Sequence, residues 1–162
     1  MNIVFLGLGT NLGDKELNLK KAVAEIEEFI GKILRTSSIY ETEPWGFMTD
    51  EKFLNLVVKA ETELKPLQLL DKIHKIESAL GRVRSEVQYS PRVIDIDILL
   101  YENIIIAEDN LKVPHPLMKD RKFVLIPLCE IEPGMVHPVL GKPFTELLDE
   151  CEDRSEVKKY AE

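Results

Sequence analysis

Two carboxylates, Asp95 and Asp97, stand two residues apart inside an apolar run in the second half of the chain. Side chains alternate along a β-strand, so both carboxylates face one side while Ile94, Ile96 and Ile98 face the other, toward a core. At ~3.3 Å per residue the two carboxylates lie about 6–7 Å apart. Such an oxygen-only pair suits Mg²⁺, which binds one or two carboxylates and completes its shell with water and substrate phosphates. The alternative is a solvated polar face on an edge strand.

Arginines flank this acidic pair although the chain as a whole is acidic. They are Arg82, Arg84 and Arg92. A second polar and basic group follows at His115, Lys119 and Arg121. Guanidinium groups neutralise phosphoryl oxygens that a metal leaves exposed, so this neighbourhood indicates phosphates bridged by metal. A surface network of ion pairs is the competing interpretation.

Length and composition set limits on the class of protein. The 162 residues suit a single domain over 1–162 with a charged tail from about residue 149. The net charge of −8 disfavours a nucleic-acid partner, because binding to a polyanion rests mainly on lysine and arginine. No apolar run approaches the ~18 residues that span a bilayer, and the first residues lack the basic start of a signal peptide. We therefore expect a cytoplasmic monomer that binds no membrane.

Apolar periodicity predicts the elements that position these side chains. A strand is expected at 2–7, a glycine-rich strand-to-helix turn at 7–14, a helix at about 15–30, and strands at about 33–41 and 53–60. A helix at about 66–80 precedes the strand that carries the aspartates. The order β-α-β-β-α-β is that of a ferredoxin-like α+β fold. After residue 102 we expect an addition with a hairpin near 104–113 and an irregular helical stretch.

Two further pairs of side chains have a functional and a structural interpretation. Phe53 and Asn55 share a strand face, and an aromatic ring beside a carboxamide suits a flat heterocycle that needs stacking and paired hydrogen bonds. The alternative is an exposed asparagine beside a partly buried ring. His74 and Glu77 share a helix face away from its apolar stripe, so a solvated face is the default expectation for both.

Taken together, the motifs resemble the 6-hydroxymethyl-7,8-dihydropterin pyrophosphokinases of folate biosynthesis. The resemblance covers about residues 3–145 and rests on these residues in order: Gly9-Thr10-Asn11-Leu12-Gly13, Tyr40-Glu41-Thr42, Pro44, Gly46, Phe53-Leu54-Asn55, Gly81-Arg82-Val83-Arg84, Pro91-Arg92-Val93-Ile94-Asp95-Ile96-Asp97-Ile98-Leu99, Val113-Pro114-His115-Pro116, Met118, Arg121, Phe123-Val124-Leu125 and Pro127-Leu128. It implies a ferredoxin-like core and transfer of pyrophosphate from ATP to the hydroxymethyl group of the reduced pterin, with release of AMP.

The resemblance also implies a role for individual residues. Asp95 and Asp97 would hold two Mg²⁺ ions and, with Arg82 and Arg92, form the catalytic group. The pterin would stack between Phe53 and Phe123 and be read by Asn55, with Thr42 and Trp45 lining the pocket mainly through their backbone. ATP would contact His74, Glu77, Arg84, Arg92, Ile98, Lys112, His115 and Arg121.

Some positions depart from the family pattern, and two other functions remain open. His74 stands where well-known members have glutamine, Phe53 where tyrosine is frequent, and Tyr89 where a tryptophan stands. A nucleotidyl transferase or hydrolase could use the same carboxylate pair, but it would not explain Phe53, Asn55 and Phe123 together. A non-enzymatic ligand- or RNA-binding domain is opposed by the acidic net charge. The residues do not identify a general base.

Overall fold

The computed structural model describes residues 1–42, 52–81 and 93–160. Its main sheet is antiparallel and has the strand order β5-β1-β4-β3-β8, with β2 also paired to β4. The strands are β1 (Asn2–Thr10), β2 (Gly31–Thr36), β3 (Tyr40–Thr42), β4 (Phe53–Thr62), β5 (Asp95–Tyr101) and β8 (Val157–Lys159). Because β4 lies between β1 and the β2–β3 region while β5 pairs with the other edge of β1, the predicted ferredoxin-like topology is confirmed.

Helices α1 (Lys15–Phe29) and α2 (Pro66–Ala79) cover one face of this sheet. Asp14 begins α1 by accepting a hydrogen bond from the Leu17 amide, and Pro66 occupies the first turn of α2. The core beneath them contains Ile94, Ile96 and Ile98, each no more than 5% exposed, as the alternation along β5 predicts. In the described parts of the chain no helix combines the length and apolarity needed to cross a membrane.

The residues after β5 divide between the two faces of the sheet. The hairpin of β6 (Ile106–Glu108) and β7 (Leu111–Val113) packs Leu111 and Val113 into the core that α1 and α2 cover. A 3-10 turn at Met118–Asp120, α3 (Lys122–Ile131) and α4 (Phe144–Glu150) build a second layer on the opposite face. Side chains of α3 and α4 pack on Phe5, Val57 and Leu99 of the sheet. The sheet positions next to Val57 and Leu99 on this face are Asn55 and Asp97, so the second core ends where the polar site begins.

Several predicted boundaries are wrong, each for a local reason. The first strand continues through Thr10, so Gly7 and Gly9 belong to the sheet and not to a turn. The second strand is split at Ser37, whose hydroxyl accepts the Val57 amide hydrogen bond in place of a backbone carbonyl. The stretch expected to be irregular contains a regular α3 despite Pro127, and part of the charged tail forms β8.

Candidate active site

The register of the sheet places Asn55, a predicted pterin contact, and Asp95, a predicted metal ligand, in one row. Gly9 of β1 is directly opposite Asn55 of β4 on one side and Asp95 of β5 on the other. Directly paired residues of antiparallel strands present their side chains on the same face. The Asn55 carboxamide and the Asp95 carboxylate therefore flank a glycine that has no side chain to separate them.

Gly9 is required by the position of the Asn55 side chain. A Cβ atom at residue 9 would lie 2.6 Å from Asn55 Oδ1 and 3.9 Å from Phe53 Cδ1. The first distance is well inside van der Waals contact, so any larger residue would displace the carboxamide. The glycines of residues 7–14 predict a turn and so conceal this role, whereas the alternation of Leu6, Leu8 and Thr10 is the signal that the strand continues.

If Asn55 binds the pterin, as the resemblance implies, Gly9→Ala should weaken pterin binding by roughly 10- to 100-fold, because the displaced carboxamide would lose its hydrogen bonds to that ligand. Isothermal titration with the reduced pterin measures this effect. Gly7→Ala is the matched control, since its Cβ would meet only the Leu99 side chain at 3.4 Å. Equal pterin affinity in Gly9→Ala and wild type would show that the Asn55 position is not set by the glycine.

Two buried polar atoms beside this row have no hydrogen-bond partner within the described ranges. They are Asn55 Nδ2 and Thr42 Oγ1, on side chains that are 7% and 2% exposed. Thr42 is directly opposite Phe53 across β3 and β4, so both lie on the face that holds Asn55. Leaving a buried donor unsatisfied costs about 1–3 kcal/mol, and these atoms are placed to pair with a polar ligand.

Phe123 and Arg121 stand at the start of α3, on the same side of the sheet. The Arg121 guanidinium carbon lies 5.5 Å from the centre of the Phe123 ring, a cation–π contact. Arg121 Nε is buried and has no hydrogen-bond partner within residues 1–42, 52–81 and 93–160. An aromatic face and a cation therefore lie at one helix end.

An open cleft of about 240 Å³ follows the outer edge of β5, between α2 and the chain after β7. Asp95 and Asp97 line it. So do five of the side chains predicted to contact the nucleotide: His74, Glu77, Ile98, Lys112 and His115. The cleft is also lined by residues that the sequence did not predict as nucleotide contacts: Leu70, Ile96, Asn110, Leu111 and Pro116. Asn110 sits in the hairpin turn, where no local pattern marks it as functional.

Glu77 is buried, contrary to the default expectation of a solvated helix face. Its side chain is on a residue only 2% exposed, and Oε2 accepts a 2.9 Å hydrogen bond from the backbone amide of Ile96. Ile96 lies between the two aspartates on the outermost strand, where its amide points away from β1. Glu77 thus fixes the backbone that presents Asp95 and Asp97.

His115 is held as a neutral hydrogen-bond donor at the cleft. Its Nδ1 accepts from the Leu117 amide at 3.2 Å, which leaves the ring proton on Nε2. Burial is the main cause that lowers the pKa of His115, the Arg121 charge adds to it, the Asp95 carboxylate opposes both, and the resulting pKa is about 4. A neutral imidazole can donate to a phosphoryl oxygen at pH 7 without first giving up a proton.

We expect a nuclear magnetic resonance titration of the ligand-free protein to show His115 changing protonation near pH 4. Between pH 6.5 and 4 the unfolded chain binds a proton at His115 and the folded protein does not, so acid favours unfolding. The free energy of unfolding is therefore not reduced by His115 above pH 6.5, and it falls as the pH drops from 6.5 to 4. His115→Gln should therefore lose less stability than wild type on going from pH 7 to 5. A titration midpoint near 6.5 would contradict the buried neutral state.

The donor set at the aspartates fits a hard divalent cation. The described residues contain no group of three or more histidine, cysteine or acidic side chains that could enclose a metal. A pair of carboxylates, with other positions left to water and phosphate, is the arrangement Mg²⁺ adopts in nucleotide enzymes. Predicted site residues Trp45, Arg82, Arg84 and Arg92 lie outside the described residues, so their placement stays a prediction.

The fold is a ferredoxin-like α+β sheet that carries a carboxylate pair beside an open cleft, an arrangement typical of phosphoryl-transfer enzymes. The sequence model of the 7,8-dihydro-6-hydroxymethylpterin-pyrophosphokinase family matches residues 5–133. The chain belongs to this family.

Individual relatives agree with this membership. The chain is 46% identical over 150 residues to a 2-amino-4-hydroxy-6-hydroxymethyldihydropteridine pyrophosphokinase of Aquifex aeolicus, covering 93% of this chain and 92% of the relative. The enzyme of the same name from Bacillus subtilis is 45% identical over 131 residues, with 80% and 78% covered. A crystal structure of wild-type Plasmodium falciparum HPPK-DHPS shares the fold, with a TM-score of 0.75 and 22% identity over 93% of this chain, which spans 43% of that protein.

Proposed function

We propose that this chain transfers pyrophosphate from ATP to the hydroxymethyl group of 6-hydroxymethyl-7,8-dihydropterin and releases AMP. Membership of the family makes it a pyrophosphokinase of folate biosynthesis. The observation that carries the finer proposal is the row of Asn55, Gly9 and Asp95, because it joins an unsatisfied carboxamide to the carboxylate pair on one sheet face.

The pterin would occupy the end of this row at β4 and β3. A pterin is flat and carries hydrogen-bond donors and acceptors along one edge, which matches the amide of Asn55 and the hydroxyl of Thr42. Phe53 and Phe123 would stack on the ring, and Trp45 would complete the pocket. Binding would satisfy the two polar atoms that the described residues leave without partners.

The nucleotide would occupy the cleft along β5. Lys112 is exposed at its rim, and Arg121 lies close enough to lower the pKa of His115, so both can neutralise phosphate charge. His115 would donate from Nε2 to a phosphoryl oxygen. The remaining proposed contacts are His74, Glu77, Ile98, Arg84 and Arg92. Of these, Glu77 accepts the hydrogen bond from the Ile96 amide and so holds the strand that carries the two aspartates.

Asp95 and Asp97 would hold two Mg²⁺ ions, which when bound neutralise the triphosphate and make the β-phosphorus more electrophilic. The chain positions the two substrates for an in-line attack. The pterin hydroxyl oxygen forms a bond to the β-phosphorus, the bond from that phosphorus to the α–β bridging oxygen breaks so that AMP leaves with this oxygen, and the hydroxyl proton passes to solvent. Arg82 and Arg92 would stabilise the charge that develops on the transferred phosphates. Most of the rate enhancement then comes from positioning and charge neutralisation.

The direct test is to incubate the full chain with ATP, Mg²⁺ and the reduced hydroxymethyl pterin and to separate the products. The proposal requires AMP to form only when the pterin is present, together with a pyrophosphorylated pterin in equal amount. AMP or ADP formed without pterin, with release of inorganic phosphate or pyrophosphate, would overturn it and identify a nucleotide hydrolase.

A further inference from the structure

The segment 151–160 touches two elements that carry proposed pterin contacts, although it lies beyond the part of the chain matched by the family model. Its strand β8 pairs with β3, and Val157 is directly opposite Thr42. The Tyr160 amide donates to the Ile39 carbonyl at 2.8 Å, just before β3 begins. The tail therefore completes the sheet on the outer side of the strand that holds Thr42.

Asp153 connects the same segment to the start of α3. Its Oδ2 accepts from the Lys122 amide at 3.0 Å, and its Oδ1 accepts from the Ser155 amide at 2.9 Å. Lys122 is the first residue of α3 and lies between Arg121 and Phe123 in sequence. The first amides of a helix have no partner within the helix, and a carboxylate there is also favoured by the helix dipole.

The far half of α3 has its own attachment to β3. The Glu130 carboxylate accepts hydrogen bonds from Ser38 and from the Tyr40 hydroxyl at 2.8 Å. Glu130 is about two turns from Lys122, or roughly 12 Å along the helix. The end of the helix that carries Phe123 is thus held to β3 by a different connection, which runs through Asp153 and β8.

We propose that residues 151–160 form a strap that sets the spacing of Thr42 and Phe123, with Asp153 as a positioning residue for the pterin. This inference rests on the proposed function, because the pterin is the ligand assigned to that pocket. Hydrogen bonds to both carboxylate oxygens hold Asp153 in place. Burial raises its pKa, but the bonds from Ser155 and Lys122 outweigh burial and lower the pKa overall.

The test compares binding of the reduced hydroxymethyl pterin and of a non-hydrolysable ATP analogue to wild type, Asp153→Ala and Asp153→Asn. Loss of the helix-start bond should weaken pterin binding in Asp153→Ala by roughly 10-fold and change analogue binding by less than about twofold. The asparagine variant keeps one acceptor oxygen for Lys122 and should stay within roughly threefold of wild type. Amide exchange at residues 122–124 should become faster in Asp153→Ala.

Glu132→Ala is the control for stability alone. It removes the 2.6 Å ion pair with Lys59 at the opposite end of α3 and should lower the unfolding midpoint without a selective loss of pterin binding. Equal pterin affinity in Asp153→Ala and wild type would overturn the strap. So would a parallel loss of both ligands that tracks the unfolding midpoint. Wild-type protein that binds no pterin would instead overturn the proposed function, and with it the role of the strap.

Discussion

Asp97→Ala is expected to lower kcat by roughly 10³-fold or more, and Asp95→Ala by a similar factor, from loss of the charge stabilisation that a metal site supplies. The two carboxylates are half-buried on one strand face, where they repel each other when no cation is bound. Pterin-dependent AMP formation over a range of Mg²⁺ concentrations measures the effect.

Asp109→Ala is the matched control for charge near the cleft. Asp109 is an exposed acid in the hairpin turn next to Asn110, which lines the cleft, so its loss changes the local field without removing a proposed metal ligand. Its kcat should remain within about twofold of wild type, since an exposed charge is screened by solvent. If both aspartate variants retained wild-type turnover, the carboxylate pair would not be the metal site.

Asn55→Leu is expected to reduce kcat/KM for the pterin by roughly 10²- to 10³-fold, because the polar edge of the ligand loses its partners in a buried site. The KM for ATP should stay unchanged. The unfolding midpoint should equal or exceed that of wild type, since an apolar side chain of similar size replaces a buried amide whose Nδ2 has no partner in the described chain. Steady-state kinetics and thermal unfolding on the same preparation give both values.

Asn110→Ala is expected to have the opposite effect on the kinetics, changing the KM for ATP and not the kcat/KM for the pterin. Asn110 lines the nucleotide cleft and lies in a different element from the pterin pocket, so its effect should fall on the KM for ATP. An Asn55→Leu protein that was less stable than wild type yet bound pterin normally would show that the carboxamide serves the fold and not the ligand.

The main strands and one face of the site were predictable from the sequence because they depend on local period, and the strand order followed from the sequence of elements β-α-β-β-α-β. Alternation along β5 placed Ile94, Ile96 and Ile98 in the core and the aspartates on the other face, as the structure confirms. The same period in β4 put Phe53 and Asn55 together, and the sheet register then brought Asn55 and Asp95 to either side of Gly9.

Other features depend on contacts between distant segments, which no local pattern encodes. Its helix position alone predicts that Glu77 is solvated, whereas in the structure it accepts a hydrogen bond from the Ile96 amide on the outer edge of β5. The strand β8 has only three residues, two of them lysine, and forms because β3 offers a free edge. Gly9 was misplaced because a glycine in sequence suggests a turn, whereas here the neighbouring strand's side chain requires it.

In the proposed reaction, one site joins the pterin to the β- and γ-phosphates of ATP. Phosphorus nuclear magnetic resonance of the reaction with ATP, Mg²⁺ and the reduced hydroxymethyl pterin tests it directly. We expect the signals of the β- and γ-phosphorus to move together into a diphosphate ester of the pterin, while the α-phosphorus appears in AMP. A pterin carrying a single phosphate with ADP as the second product, or inorganic pyrophosphate beside an unchanged pterin, would contradict it.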